Sequence, residues 1–184
     1  MPDQNLVAEL DELDVNLFES IAEFHAPLLD RVIPDLSNAA NYSRLWMGVA
    51  AAIAITRGTR GRQAAVRGLA AIGVTSVVAN AVLKPLLPRR RPQSPVPERR
   101  RLVQPSSTSF PSGHTASASA FSAVVGAEFP ALRGPLDALA LAVGFSRVYT
   151  GVHYPGDVVA GWVLGQVTAT AVRAIAPRAE AAMR

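Results

Sequence analysis

The chain of 184 residues contains no cysteine. This absence excludes a disulfide-stapled scaffold, a zinc site with cysteine ligands and catalysis by a cysteine nucleophile. Charged residues are also scarce, at 17% of the chain against about 25% in a typical soluble domain, whereas apolar residues make up 49%. The mean hydropathy of +0.22 argues against both a disordered chain and an ordinary water-soluble protein.

The charges that are present divide unevenly along the chain. Residues 1–35 hold nine acidic side chains and one basic side chain, whereas the remaining 149 residues hold 17 basic and five acidic ones. The isoelectric point is near 10.3, and such a high value is typical of many nucleic-acid-binding proteins. The positions of the charges along the chain therefore have to show whether this protein belongs to that class. A basic, apolar leader is absent from the opening MPDQNLVAELDELD, and we expect no signal peptide.

An acidic amphipathic region is predicted at residues 1–40. Leucines and phenylalanines recur at spacings of three and four between residues 5 and 36, which is the pattern of a helix with one apolar face. Pro27 and Pro34 should divide this helix into two pieces. A helix packed on the surface of its own domain and a helix lying on a membrane surface both fit the pattern. His25, near the first proline, is expected to be structural or exposed.

Five segments with few or no charges follow within the predicted main domain, residues 41–176. They are Leu45–Thr56, Gly68–Leu83, His114–Ala127, Ala138–Ser146 and Val158–Val172. None alone reaches the roughly 18–20 residues of a spanning helix, but basic or aromatic residues that suit a membrane interface flank each one. Gly161 and Gly165 would let two helices approach closely. The chain is therefore predicted to be an all-α, polytopic membrane helix bundle with about five spanning helices and a short tail at residues 177–184.

A long basic loop should separate the second and third apolar segments. Residues Pro85–Pro111 contain six arginines and, after Pro85, six more prolines, a density that cannot continue a helix. Loops of this length are usually functional or disordered. We expect Arg99–Arg101 within it to be a solvated run, with attraction to anionic lipid headgroups as the alternative.

Three clusters of polar residues coincide with the ends of the apolar segments. They are Lys84 with Arg91-Pro92, then Pro111-Ser112-Gly113-His114, and finally Ser146-Arg147 with His153 and Asp157. Taken singly, each has an ordinary explanation, as an interfacial anchor, a helix N-cap or a charge pair on a helix surface. Antiparallel spans, however, would bring all three clusters to the same membrane face. We therefore interpret them as parts of one site.

These residues resemble the three signature motifs of the type 2 phosphatidic acid phosphatase family. The pattern Lys84-x6-Arg91-Pro92, Pro111-Ser112-Gly113-His114 and Ser146-Arg147-x5-His153-x3-Asp157 matches in order and in internal spacing, over about residues 40–175. The stretch from the N-terminal helix through Lys84 is further similar to the phosphatase half of actinobacterial proteins fused to a diacylglycerol-kinase-like domain. Many bacterial members have six spans, whereas here an acidic amphipathic stretch replaces the first.

The resemblance implies a role for each motif residue. His153 would be the nucleophile that forms a phosphohistidine, Asp157 would hold its other ring nitrogen, and His114 would protonate the leaving oxygen and later activate water. The remaining motif residues would bind the substrate: Lys84, Arg91, Ser112, Gly113 and Arg147. Arginine forks and the free amides of a helix N-terminus suit a phosphate chemically. No metal ion and no other cofactor is expected.

The predicted function is that of a multi-pass lipid phosphate phosphatase of the cell membrane, with its active site on the extracytoplasmic face. Its substrate would be a phosphomonoester or diphosphate of a lipid, of the phosphatidate, phosphatidylglycerol phosphate or polyprenyl phosphate type, and nucleic acid is not an expected partner. Two alternatives stay open. One is a vanadate-dependent haloperoxidase-like enzyme, and the other is a non-enzymatic basic membrane protein that binds anionic lipid or nucleic acid. The sequence does not indicate an oligomeric state.

Overall fold

Residues 4–93 and 96–182, the described part of a computed structural model, form seven α-helices and no β-strand. This confirms the predicted all-α class. The helices are α1 (Gln4–Glu23), α2 (Leu29–Ala39), α3 (Arg44–Thr56), α4 (Gly58–Leu86), α5 (Gly113–Glu128), α6 (Pro130–Tyr149) and α7 (Pro155–Ala182). Short 3₁₀ turns lie at Asn41–Ser43 and Glu98–Arg100. The last helix runs past residue 177, where the tail is predicted to begin. Residues 183 and 184 lie outside the described part.

The N-terminal region folds as two helices, as predicted, but only one of its two prolines separates them. The chain leaves the helical conformation around Pro27, between α1 and α2. Pro34 lies inside α2, so the predicted break at that residue is wrong. Ile33 and Ser37 of α2 are buried, and this packing compensates for the one intrahelical hydrogen bond that proline removes. The helix α1 packs on the rest of the chain through Phe18, as expected of a surface helix.

Two helices are long and apolar enough to cross a membrane, by length and composition: α4 over Gly58–Leu86, and α7 over Pro155–Ile175. Only 28% and 22% of their most apolar windows are buried, so most of these apolar residues face outward, as contact with lipid requires. Within the described residues the other helices are shorter or carry more charge. For example, α3 has 13 residues and α5 has 16. The predicted number of about five spans stays a prediction.

The central helix of the bundle is α5, which packs against α4, α6 and α7. Every residue from Thr115 to Gly126 is buried. Gly161 and Gly165 lie directly against it, and a Cβ atom at Gly165 would collide with the carbonyl oxygen of Ala116. This confirms the close helix approach that the two glycines predict.

Four chain segments converge at one end of the bundle: the end of α4, the start of α5, the end of α6 and the start of α7. The connection from α6 to α7 is short, whereas α4 and α5 are joined by the long basic loop, residues 87–112. Buried Val96 and Arg100 attach this loop to the N-terminal helices. The loop is therefore folded against the end of the bundle that carries the polar clusters.

Candidate active site

The converging segments enclose a cavity of about 270 Å³. Six of the residues predicted to form the site line it: Lys84, Arg91, Gly113, His114, Arg147 and His153. All three polar clusters of the sequence therefore meet at one cavity. Several side chains that the sequence analysis did not single out complete the wall, among them Ser76, Asn80, Ser107 and Ser117.

His153 lies in the short connection before α7 and exposes only 2% of its surface. Its Nδ1–H donates to Oδ2 of Asp157 over 3.3 Å. An N–H of Arg91 donates to the other ring nitrogen, Nε2, over 3.2 Å. The ring is therefore held with Nε2 as the acceptor, which is the nitrogen that a nucleophile would use.

The environment of His153 favours its neutral form. Burial lowers the pKa of His153 to about 4, and the hydrogen bond to Asp157 opposes this effect only in part. The positive charges of Arg91 and Arg147 lower the pKa further. The imidazole is consequently unprotonated at neutral pH, as nucleophilic attack requires.

Asp157 is completely buried, and both of its carboxylate oxygens have partners. Besides contacting His153, Oδ2 accepts the backbone N–H of Tyr154 over 2.9 Å. The other oxygen, Oδ1, accepts an N–H of Arg89 over 3.2 Å. Arg89 also donates to Asp14 of α1 over 2.6 Å. Arg89 and Asp14 are thus functional contacts that the sequence analysis missed, and the opposite charges of the acidic N-terminal region and the basic loop were the only signal for them.

Hydrogen bonds to the long loop hold both Lys84 and Arg91, and Arg91 is also bound to the connection before α7. The Nζ of Lys84 donates to Oγ of Ser107 over 3.1 Å. Arg91 donates from Nε to the carbonyl oxygen of Ser107 over 2.9 Å, and from Nη1 to the carbonyl oxygen of Val152 over 2.7 Å. These bonds hold two cations on the wall of one cavity, and paired cations of this kind suit a phosphate group.

Two further site residues are held by the N-terminal region. Arg147, at the end of α6, is 2% exposed, and its Nη1 donates to Oγ of Ser37 in α2 over 2.7 Å. His114, in the first turn of α5, donates from Nε2 to Oδ1 of Asn41 over 3.0 Å. Neither Ser37 nor Asn41 belongs to a motif, and the sequence gives no signal for either contact.

Ser112, predicted to bind substrate, is not among the residues that line the cavity. Its Oγ accepts hydrogen bonds from the backbone N–H of Thr115 over 3.5 Å and from the hydroxyl of Thr115 over 3.0 Å. Its own backbone N–H donates to the carbonyl oxygen of Asp157 over 2.9 Å. The hydroxyl therefore caps α5, because the cap position directs it toward the free amides of the first turn. Gly113, the next residue, does reach the cavity.

A second polar cluster is buried outside the cavity, around Asp30 of α2. Asp30 accepts a hydrogen bond from the hydroxyl of Tyr149 over 2.6 Å and forms ion pairs with Arg100 over 2.5 Å and Arg99 over 2.6 Å. Arg100 is completely buried, so the prediction of a solvated arginine run is wrong for this residue, because the acidic α2 provides its partner. His25, also within 3.2 Å of Asp30, keeps 55% of its side chain exposed, as predicted.

The cavity is equipped to bind and cleave a phosphate ester. Lys84, Arg91 and Arg147 place three cations around two imidazoles. The cations can bind a tetrahedral anion, one imidazole can attack its central atom and the other can transfer a proton. Over the described ranges no group of three or more His, Cys, Asp or Glu side chains is arranged to hold a metal ion.

Residues 64–181 of the chain match the PAP2 superfamily. The chain is 32% identical over 163 residues to the undecaprenyl-diphosphatase of Sulfolobus acidocaldarius, covering 83% of this chain and 73% of that protein. It is also 46% identical over 57 residues to the lipid A 1-phosphatase of Rhizobium etli, covering 31% of this chain. That match spans only 25% of the length of the lipid A enzyme.

A solved structure has the same fold over nearly the whole length of both chains. It is the crystal structure of a transmembrane PAP2-type phosphatidylglycerolphosphate phosphatase from Bacillus subtilis, with a TM-score of 0.70 and 25% sequence identity. The similarity covers 92% of this chain and 87% of that one.

Proposed function

This chain belongs to the PAP2 superfamily of lipid phosphatases, and on that basis we propose that it removes phosphate from a membrane lipid through a phosphohistidine intermediate. It is a hydrolase of phosphoric esters. One observation carries the proposal: three cations, a nucleophile with its carboxylate partner and a second imidazole surround a single cavity.

The first step transfers the phosphoryl group to the enzyme. Nε2 of neutral His153 attacks phosphorus, the bond from phosphorus to the lipid oxygen breaks, and that oxygen takes a proton from the imidazolium of His114. The nonbridging oxygens lie among Lys84, Arg91 and Arg147, whose charges offset the charge that develops on them. Asp157 stabilises the positive charge that His153 acquires.

The second step releases phosphate. A water molecule attacks the phosphorus of the phosphohistidine while neutral His114 takes one of its protons. The bond between phosphorus and Nε2 breaks, so His153 regains its lone pair and inorganic phosphate leaves. His114 is then protonated again and ready for the next substrate. Every step uses side chains of this chain alone, and we propose that no metal ion takes part.

The substrate is proposed to be a lipid because the cavity opens where apolar helices meet the polar end of the bundle. The outward apolar faces of α4 and α7 fit a multi-pass protein of the cell membrane. A headgroup can then enter the cavity while its chains stay in the bilayer. Burial of those chains contributes about 0.8 kcal/mol per CH₂ group and concentrates the substrate at the site. The named relatives act on prenyl, lipid A and glycerophospholipid phosphates, and the same range is proposed here.

The decisive experiment measures phosphate release by the purified protein in mixed micelles. Phosphatidate, phosphatidylglycerol phosphate and a polyprenyl diphosphate are compared with glycerol 3-phosphate, each with and without EDTA. We expect the lipid substrates to have clearly lower apparent KM values and EDTA to leave their rates unchanged. Equal KM values for phosphatidate and glycerol 3-phosphate, or loss of activity in EDTA, would contradict the proposal.

The site is proposed to face the extracytoplasmic side. Because the chain has no cysteine, a single Ser106→Cys change on the exposed part of the long loop gives one label position. A membrane-impermeant maleimide should label this variant in intact cells. Labelling only after lysis would reverse the assigned orientation.

A further inference from the structure

His114 has a partner from outside the three motifs. Its Nε2 lies 3.0 Å from Oδ1 of Asn41, which belongs to the 3₁₀ turn Asn41–Ser43 between α2 and α3. An amide oxygen only accepts hydrogen bonds, so this contact requires a proton on Nε2. The other ring nitrogen, Nδ1, is then the one that is free to exchange a proton with substrate or water.

The backbone after Asn41 adopts an unusual conformation. Tyr42 has φ 53° and Ser43 has φ 58°, in the left-handed region that residues with a Cβ atom rarely occupy. Tyr42 is 88% exposed, so packing of its side chain does not account for this conformation. Strained backbone of this kind collects at functional sites, where the surrounding structure maintains it. Here the turn fixes the position of Asn41, whose Nδ2–H also donates to Oδ1 of Asn38 over 3.4 Å.

The other titratable groups that surround His114 are all bases, which are positively charged when protonated. They come from α4, the long loop, α6 and the connection before α7, and they are Lys84, Arg91, Arg101, Arg147 and His153. The uncharged amide oxygen of Asn41 can orient the ring of His114 among these groups without favouring either the neutral or the protonated form of the ring. This matters because the proposed mechanism needs His114 as an acid in one step and as a base in the next.

We propose that Asn41 is a positioning residue that fixes the tautomer and the orientation of His114, so that Nδ1 carries the transferred proton in both steps. The proposal rests on the proposed function, since it assigns the proton-transfer atom of that reaction. It also makes the turn before α3 part of the catalytic apparatus, although this turn lies outside all three motifs.

The first test removes the acceptor and varies the leaving group. Asn41→Leu is compared with Asn16→Leu, the same change at an exposed asparagine of α1 that lies away from the cavity. For a short-chain phosphatidate, whose alkoxide leaving group needs an acid, Asn41→Leu should lower kcat/KM about tenfold, the loss expected for one hydrogen bond to the acid. For p-nitrophenyl phosphate, whose leaving group needs no acid, the loss should be small. Asn16→Leu should change neither rate.

A double mutant shows whether the effect passes through His114. In a His114→Ala background, Asn41→Leu should lower the remaining phosphatidate activity by less than about twofold, because the group that it positions is already absent. Equal losses on both substrates, or an undiminished loss in the His114→Ala background, would show that Asn41 is only structural.

The second test keeps the acceptor and changes its charge. Asn41→Asp still accepts from Nε2, but its carboxylate favours the imidazolium form of His114. The high-pH limb of kcat/KM for phosphatidate should therefore move upward by about one pH unit, whatever the absolute rate. An unchanged limb would contradict the proposal.

The same experiments distinguish a wrong assignment of Asn41 from a wrong proposed function. If the wild-type protein releases no phosphate from either substrate, the lipid-phosphatase function is wrong. If the wild-type protein is active and His114→Ala shows the leaving-group dependence while Asn41→Leu does not, only the assignment of Asn41 is wrong.

Discussion

The N-terminal region, Gln4–Ser43, and the motif-bearing bundle that follows Gly58 contribute to the same site in different ways. The bundle supplies the groups that would touch phosphate, such as His153 and Arg147. The N-terminal region contains no motif and a strong excess of acidic residues, yet it holds two of those groups directly, Arg147 through Ser37 and His114 through Asn41. Its Asp14 also holds Arg89, which contacts Asp157, the partner of His153. The comparison indicates that reactive groups are specified by local pattern and their orientation by distant packing.

The largest effect should come from the bundle. His153→Ala removes the nucleophile, and no other side chain in the cavity is placed to replace it, so kcat should fall by at least about three orders of magnitude. Phosphate release from phosphatidate measures the loss, and far-UV circular dichroism checks that the fold is intact. Near-normal turnover in this variant would rule out the covalent mechanism.

The contact that joins the two regions should come next. Arg89→Met removes the hydrogen bond to Oδ1 of Asp157 and leaves Asp14 without its cation. We expect kcat to fall about ten- to a hundredfold, as for loss of a charge-assisted hydrogen bond, with little change in KM. Arg90→Met, the same change at the exposed neighbouring arginine, is the control. Equal effects of the two changes would mean that Arg89 does not act through Asp157.

A smaller effect is expected when the N-terminal region loses one uncharged contact. Ser37→Ala removes the hydroxyl that accepts from Arg147, so the apparent KM should rise about fivefold while kcat changes less. The matched control is Ser20→Ala on the exposed face of α1, where the hydroxyl donates to the carbonyl oxygen of Asn16 over 2.9 Å. If kcat falls and KM does not, Arg147 acts in the chemical step rather than in binding.

The pH dependence tests the environment that both regions create around His153. Because burial lowers its pKa to about 4, His153 should stay neutral and nucleophilic as the pH falls through 6.5, the usual value for histidine. As the pH falls further through 4, protonation of Nε2 should remove activity. The low-pH limb of kcat/KM measures this midpoint. A midpoint near 6.5 would mean that His153 is hydrated in the working enzyme.

The smallest effect on chemistry is expected at the cluster around Asp30. Arg100→Gln removes the buried cation and should lower the Tm by several degrees, because Asp30 then stays buried without its closest partner. Turnover of the folded protein should change little, since the cluster lies outside the cavity. Arg101→Gln, at the exposed neighbour, should leave the Tm unchanged. A large loss of turnover with an unchanged Tm would assign this cluster a role in the site.

The motif residues could be predicted from the sequence because their spacing is local and chemically distinctive. Lys84 and Arg91 are seven positions apart, and His153 and Asp157 lie one helical turn apart. The helical periodicity likewise predicted the two N-terminal helices, and the lack of charge in Leu45–Thr56 predicted the apolar segment that forms α3. The small residues Gly161 and Gly165 predicted the close contact between α5 and α7.

The positioning contacts could not be predicted in this way. Ser37 lies 110 residues from Arg147, and Asn41 lies 73 residues from His114, so only the packing of α2 and its following turn brings these pairs together. The wrong prediction for Arg100 has the same cause. A run of arginines predicts solvent exposure, and the buried acidic partner, Asp30, is brought to Arg100 only by the packing of α2.

The burial of α5 has a consequence for how the protein is made. Three serines and a threonine lie among its buried residues, and α4, α6 and α7 screen these polar groups from lipid. During synthesis α5 emerges before the glycine face of α7, which starts at Gly161, has been translated. At about 5–20 residues per second, the 33 residues from Glu128 to Gly161 take about 2 to 7 s. At the start of that interval only α4 is available to α5, and α6 joins it as residues 130–149 are translated. A chain truncated before α7 should therefore assemble poorly and become a target for membrane proteases.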